Sequence, residues 1–257
     1  MFIADLKTQG RVVGALVMRE LQGRYGRDNL GFLWLIGEPL MFAWGVIALW
    51  HIMNGSYYHK LPIIPVVTFG YLPLLLYRHM VGNSLHHVRG NASLLFHARV
   101  TIIDLYLSRV VMETAGNILA FACTYLMLYT FGQMDWPANP GELVAGYFFM
   151  VWYSAATMAF MMPLSERSEL VEKFWTPISY LYLPLSGAYL MVQWFPDQWR
   201  SWYLLIPSVS AYEMIRGGYF GDEVTTFTNL PYLALFCGIS TLVGLWLFRT
   251  TRDYIVF

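Results

Sequence analysis

Charge is scarce in this chain: Asp, Glu, Lys and Arg make up 12% of its 257 residues, against about 25% in a soluble globular domain. The hydrophobic 57% therefore has too little polar surface to cover it, and the chain reads as an integral membrane protein. Cysteine is nearly absent. Cys123 and Cys237 each stand inside apolar runs without metal-ligand spacing, which reads as small buried residues and gives a disulfide little support. The formal net charge is zero, so no global field would draw nucleic acid. No zinc signature, nucleophile elbow or Gly-rich phosphate loop occurs. Without G-x-x-x-x-G-K-[ST], the chain cannot bind ATP in the manner of an ABC ATPase, and any such energy source lies on another polypeptide. Linkers, charge blocks and tandem repeats are missing too, so residues 1–257 read as one membrane domain. The first apolar run begins near Gly31 and is too long for a cleaved signal, so it reads as a retained transmembrane helix.

What the chain has in abundance is long apolar runs. A crossing needs about 20 apolar residues, and stretches at about 31–53, 62–83, 108–131, 143–164, 174–194 and 230–248 qualify. The expected fold is all-α, with both termini on one side. Basic residues orient it. Twelve (Lys7, Arg11, Arg19, Arg24, Arg27, Arg89, Arg99, Arg109, Arg167, Lys173, Arg249 and Arg252) fall in segments on the side of the termini, against three (Lys60, Arg200 and Arg216) on the other. Cationic flanks stay in the cytoplasm, so both termini are expected inside. Arg78 falls within the second crossing.

Ahead of the first crossing, residues 5–28 form an amphipathic pattern. Val13, Leu16, Val17 and Leu21 share one face, Lys7, Arg11 and Gln22 the other, and Glu20 intrudes on the apolar side. This predicts a helix lying in the membrane interface. The spacing Arg19-Glu20, Arg24-Tyr25-Gly26, Leu30-Gly31, Trp34, Glu38-Pro39 resembles the entrance motif of the membrane subunit of type-2 ABC exporters, particularly those for capsular polysaccharide. The resemblance extends loosely over the whole chain. It implies a homodimer assembled with two copies of a separate ATPase carrying ATP and Mg, a lipid-linked acidic polysaccharide as cargo, and periplasmic export partners.

The stretch Asn83 to Asp104 is polar at both ends with an apolar centre and predicts a short cytoplasmic helix. Asn91, Leu94, Leu95 and Phe96 occupy positions where, in the resembled family, a coupling helix docks on the ATPase; Leu95 and Phe96 would be anchors and Arg89, His97 and Arg99 the rim. An amphipathic connector lying on lipid has the same composition. His86 and His87 are adjacent, point in different directions on a helix and lack a carboxylate at ligand spacing, so a metal is not expected.

Within the crossings, Glu38 beside Pro39 predicts a bent helix, its carboxylate either on a water-filled cavity or paired with Arg24 or Arg27 as an anchor. Arg24 and Arg27, with Arg89, would attract an acidic substrate head or simply hold anionic lipid. In the third crossing, Arg109 and Glu113 are spaced to pair. Small residues Ser154, Ala155, Ala156 and Ala159 make the fourth a packing helix. The loop SERSELVEK after it reads as a solvated turn or, on the family resemblance, a second contact with the ATPase. In the fifth, Tyr180, Tyr182 and Tyr189 could line a sugar path, since aromatic faces stack on the C–H faces of sugar rings, or could face lipid.

Residues 198–221 hold two apolar pieces too short to cross, which predicts re-entrant helices. Pro207, Glu213 and Arg216 resemble the family's pattern there, with Ile206 standing where many relatives carry Asn. Three functions stay open: a capsular polysaccharide exporter, a type-2 permease for another amphiphile such as O-antigen, teichoic acid or drug, and an intramembrane enzyme using Ser84, His86 or His87.

Overall fold

The computed structural model describes residues 2–25, 30–85, 87–95 and 100–251, with side chains described for 7–23 and from 37 onward within those segments. Helices dominate: α1 (Phe2–Tyr25), α2 (Leu30–Asn54), α3 (Ile63–Gly82), one-turn α4 (His87–Gly90) and α5 (Ala92–Leu95), α6 (Ile102–Thr130), α7 (Pro140–Arg167), α8 (Glu169–Leu185), α9 (Asp197–Tyr203), α10 (Pro207–Phe220) and α11 (Leu230–Thr251). One antiparallel hairpin, β1 (Tyr57–Tyr58) and β2 (Leu61–Pro62), occupies the expected loop between α2 and α3.

Among the described residues, α3, α6, α7 and α11 are long and apolar enough to cross a membrane. Exposed apolar stripes, such as Leu235, Ile239, Leu242 and Trp246 on α11, face outward where a soluble protein would place charge. The chain is an all-α integral membrane protein. The hydropathy runs at 31–53, 62–83 and 230–248 coincide closely with α2, α3 and α11.

Elsewhere the boundaries move for identifiable reasons. Helix α6 starts six residues before the expected 108 because Thr101 and Asp104 form a capping box: Thr101 Oγ1 accepts from Asp104 N at 3.2 Å, and Asp104 Oδ2 accepts from Thr101 N at 2.9 Å. Helix α7 likewise begins early, with Asn139 capping and Pro140 opening it. The fifth expected crossing, 174–194, is not one helix. α8 begins at Glu169, capped by Ser168, and ends at Leu185. Pro184 lacks an amide donor, and Gly187, at φ +94°, takes a backbone that side-chain-bearing residues avoid. The rest of that apolar run, through Ala188, Met191 and Val192, is buried mainly as non-helical chain.

The core is built around α7. Ala159 meets Gly244 of α11, in keeping with a packing role for its small residues. Nearer the start of α7 lies α10, whose residues Ser208 to Phe220 are all buried. A Cβ on Gly218 would sit 2.3 Å from the Leu143 amide nitrogen, so this approach requires glycine. The two short helices α9 and α10 occupy the expected 198–221 region.

Candidate functional site

Three groups of polar side chains sit where an apolar bundle would not carry them without reason. The first joins the ends of α1, α3, α4, α6 and α7. Arg109, buried on α6, binds Glu20 of α1 and the Asn83 carbonyl, and lies 3.5 Å from Glu113 one turn on. Asn83 donates to Glu113 at 3.2 Å, and His87 Nε2 stands 4.0 Å from Glu20. The Arg109–Glu113 spacing was legible, but the cation is shared with Glu20. That explains the acid on the apolar face of α1: this face packs on α6, with Leu16 buried, and Glu20 meets Arg109 there.

The segment after Asn83 is tied into the same network. It folds as α4 and α5 rather than a single helix. Asn91 accepts from Arg19 at 3.1 Å and donates to the His87 carbonyl at 2.8 Å. Arg89 pairs with buried Glu166 at 3.0 Å and donates to its carbonyl at 2.8 Å. Leu94 and Leu95 are half-buried, packed against the core. Phe96, His97 and Arg99 lie outside the described residues, as do Arg27 and His86. The α7–α8 junction divides in two: Lys173 and Glu169 form an exposed pair, as a solvated turn would, whereas Glu166 is held by Arg89 and Arg167 donates to the Leu247 carbonyl of α11 at 3.1 Å. Ser84 donates its hydroxyl to the Val81 carbonyl at 2.6 Å.

The second group flanks α8. Arg78 of α3 holds its guanidinium 5.0 Å from the centre of the exposed Tyr180 ring. The two share a small cleft of about 270 Å³ with Glu172, Trp175 and Ser179. Sequence reasoning noted Arg78 without giving it a role; the signal was there, since a lone cation inside a crossing marks a site by default. Tyr182 turns inward instead. Ser208 donates to the Ser186 carbonyl at 2.6 Å, so the Tyr182 hydroxyl, at 2.5 Å from Ser208, must donate to it and accept from Tyr153 at 2.9 Å. Tyr189 stacks on Trp50 at 5.1 Å. The three tyrosines therefore do not share one surface. Glu38 is half-buried beside buried Pro39 on α2; the side chains of Arg24 and Trp34 lie outside the described set.

Pro207 opens α10, and Ile206 before it makes no side-chain cap. Glu213 and Arg216 stand 4.0 Å apart, both buried, and each is used by the backbone around them. Glu213 accepts from Val192 N and Phe227 N, each at 3.1 Å, while Arg216 donates to the Leu190 carbonyl at 3.1 Å and the Ala188 carbonyl at 2.5 Å. The pair pins the stretch Ala188 to Val192, ahead of α9, and the chain at Phe227, after α10, by bonding their backbone groups.

An all-α bundle with several membrane-spanning helices, a buried charge network at one end and buried short helices before the last crossing defines a multi-pass integral membrane protein. No family model matches the chain. It is 33% identical over 244 residues to the capsule polysaccharide export inner-membrane protein CtrC of Neisseria meningitidis, covering 95% of this chain and 92% of that protein. It is 32% identical, with the same coverage, to the capsule polysaccharide export inner-membrane protein BexB of Haemophilus influenzae. It is 25% identical to the polysialic acid transport protein KpsM of Escherichia coli, over 97% of each. The chain belongs to the family of capsule polysaccharide export inner-membrane proteins, the membrane subunits that its Arg19 to Pro39 motif resembles.

Proposed function

We propose that this chain is the transmembrane subunit of an exporter that carries lipid-linked capsular polysaccharide from the cytoplasm across the inner membrane. The observation that carries the reading is the 33% identity to CtrC along nearly the full length of both chains. Two copies form the path, each a single domain with six crossings, cytoplasmic termini and α9–α10 as re-entrant helices. ATP and Mg are bound by two copies of a separate ATPase, and periplasmic partners receive the polymer. The match of α2 to the first apolar run supports the first crossing, and α8 supplies the helical part of the fifth. Helix α8 buries only Trp175 and Ser179, which leaves an apolar face, Leu170, Phe174, Ile178 and Leu181, for the second copy.

The basic entrance lies at the end holding the Arg109 network. Arg24 and Arg27 meet the acidic head of the substrate; Arg89, engaged by Glu166, serves to hold the α4–α5 segment. Arg78 and Tyr180 continue the path beside α8. Leu94, Leu95 and Phe96 contact the ATPase, with Asn91, His97 and Arg99 around them. The test is deletion of the gene in its own host. Surface polysaccharide should vanish and lipid-linked polymer collect in the cytoplasm, both restored by the intact gene; unchanged surface polysaccharide would refute the reading.

A further inference from the structure

At the ends of α3 and α6 opposite the Arg109 network, a cleft of about 1090 Å³ opens between the β1–β2 hairpin, the α6–α7 loop and the turns at Trp194 and Glu223. Its hairpin wall is unusual. Both turn residues, His59 and Lys60, have positive φ, 49° and 70°. A two-residue turn of this kind is formed at least cost by Asn-Gly, because the left-handed region is unfavourable for larger side chains. Ring contacts hold the arrangement: His59 stacks on Trp194 at 4.4 Å, and Tyr58 meets the same indole edge-on at 5.2 Å. Backbone strain kept in place by its surroundings points to side chains being positioned for a purpose.

The cleft presents two exposed rings, Tyr57 and Trp136, together with Gln133, Asp135, Glu223 and Lys60. Asp135 is anchored by its own backbone, whose N–H donates to the Tyr219 hydroxyl and whose carbonyl accepts from Tyr125, each at 3.0 Å. Aromatic rings of an interfacial belt would lie against lipid. These rings instead wall a concave space shared with carboxylates, an amide and an ammonium, which acyl chains do not fill. Sugars suit that mixture: their hydroxyls donate to carboxylates and amides while their C–H faces cover aromatic rings, and Lys60 can meet an acidic substituent.

We propose that this outer cleft is a saccharide-binding site. Its occupant is a short segment of sugar chain, stacked on Tyr57 and Trp136 and hydrogen-bonded to Asp135 and Glu223. The export reading bears only on the source, the emerging polymer or a free oligosaccharide.

The test uses the full-length protein in lipid nanodiscs, titrated calorimetrically with oligosaccharides released by mild acid from the producing cell's own capsule, and in parallel with maltopentaose. Trp136→Ala and Asp135→Asn should weaken binding about tenfold, with Trp246→Ala, on the outward stripe of α11, left at the native value. Capsule fragments binding alone would make the polymer the occupant; maltopentaose binding equally well would still support a saccharide site, one that serves free sugars too. Failure to bind either probe, or binding unchanged in both cleft variants, would overturn the proposal. So would a photo-crosslinker at Tyr57 that captures a protein while saccharide binding is absent. If export is lost on gene deletion but the cleft binds nothing, the cleft alone is refuted.

Discussion

At Arg109 one guanidinium faces two carboxylates, Glu20 and Glu113, and a helix-end carbonyl, Asn83, inside a largely apolar setting. Removing a partner from such a buried group leaves the remaining charges uncompensated, which costs about 3 kcal/mol. Arg109→Ala should therefore lower the thermal midpoint of the detergent-purified protein markedly, and Arg109→Lys, which keeps charge but loses the forked geometry, should fall between. Equal midpoints for all three would show that the network contributes nothing to stability. Arg78 makes a different case, because it is bound to an exposed ring and not to a buried acid. Arg78→Gln should leave membrane abundance and melting near native values while reducing surface polysaccharide. Undiminished surface polysaccharide would remove Arg78 from the path.

Among the elements, α10 is the most tightly specified. Gly218 allows it to touch the start of α7, and Glu213 and Arg216 fasten it to chain segments on both sides. Gly218→Ala cannot be accommodated by rotating a side chain, since the obstacle is the Leu143 backbone. Protease treatment of membranes should consequently cut the variant in 197–229 much faster than the native protein; identical digestion would mean the two helices separate at little cost. The α4–α5 segment is less buried, and the export reading gives it an outward contact with the ATPase. Replacing Leu94 and Leu95 by Asp would place charge in an apolar anchor, where loss of a central residue costs about 2 kcal/mol or more. Recovery of the ATPase in pull-downs should fall while membrane insertion persists. Full recovery would make the segment a connector that only braces α1 and α7 through Asn91 and Arg89.

For the whole molecule the decisive quantity is orientation. The basic residues concentrate at the ends joined by the Arg109 network, and the saccharide cleft lies at the other end. A cysteine introduced at Asn54 should react in intact cells with a membrane-impermeant maleimide, and one at Ser93 should react only after permeabilisation. Both positions are exposed, so failure to label would not be caused by burial. The reverse pattern would invert the map and put the proposed entrance outside.

Hydropathy and charge, read along the chain, were sufficient for the membrane class, for the extents of α2, α3 and α11, and for a basic end, because lipid imposes its length and charge rules on each segment independently of its neighbours. The rare residues from Arg19 to Pro39 were sufficient for the family. The start of α6 is also written in the sequence, as the capping pair Thr101 and Asp104, which hydropathy does not register. What lay beyond the sequence was which polar groups would meet. Glu20 had no visible partner until α1 packed on α6, and Glu213 and Arg216 showed a shared helix face but not that their targets would be the backbone near Ala188, Val192 and Phe227. Nor could an apolar run reveal that it leaves the helix at Leu185, since burying Ala188 and Met191 as non-helical chain satisfies the same hydropathy. Those outcomes were decided by the tertiary structure, because a buried backbone group or charge is tolerated only where another part of the fold brings it a partner.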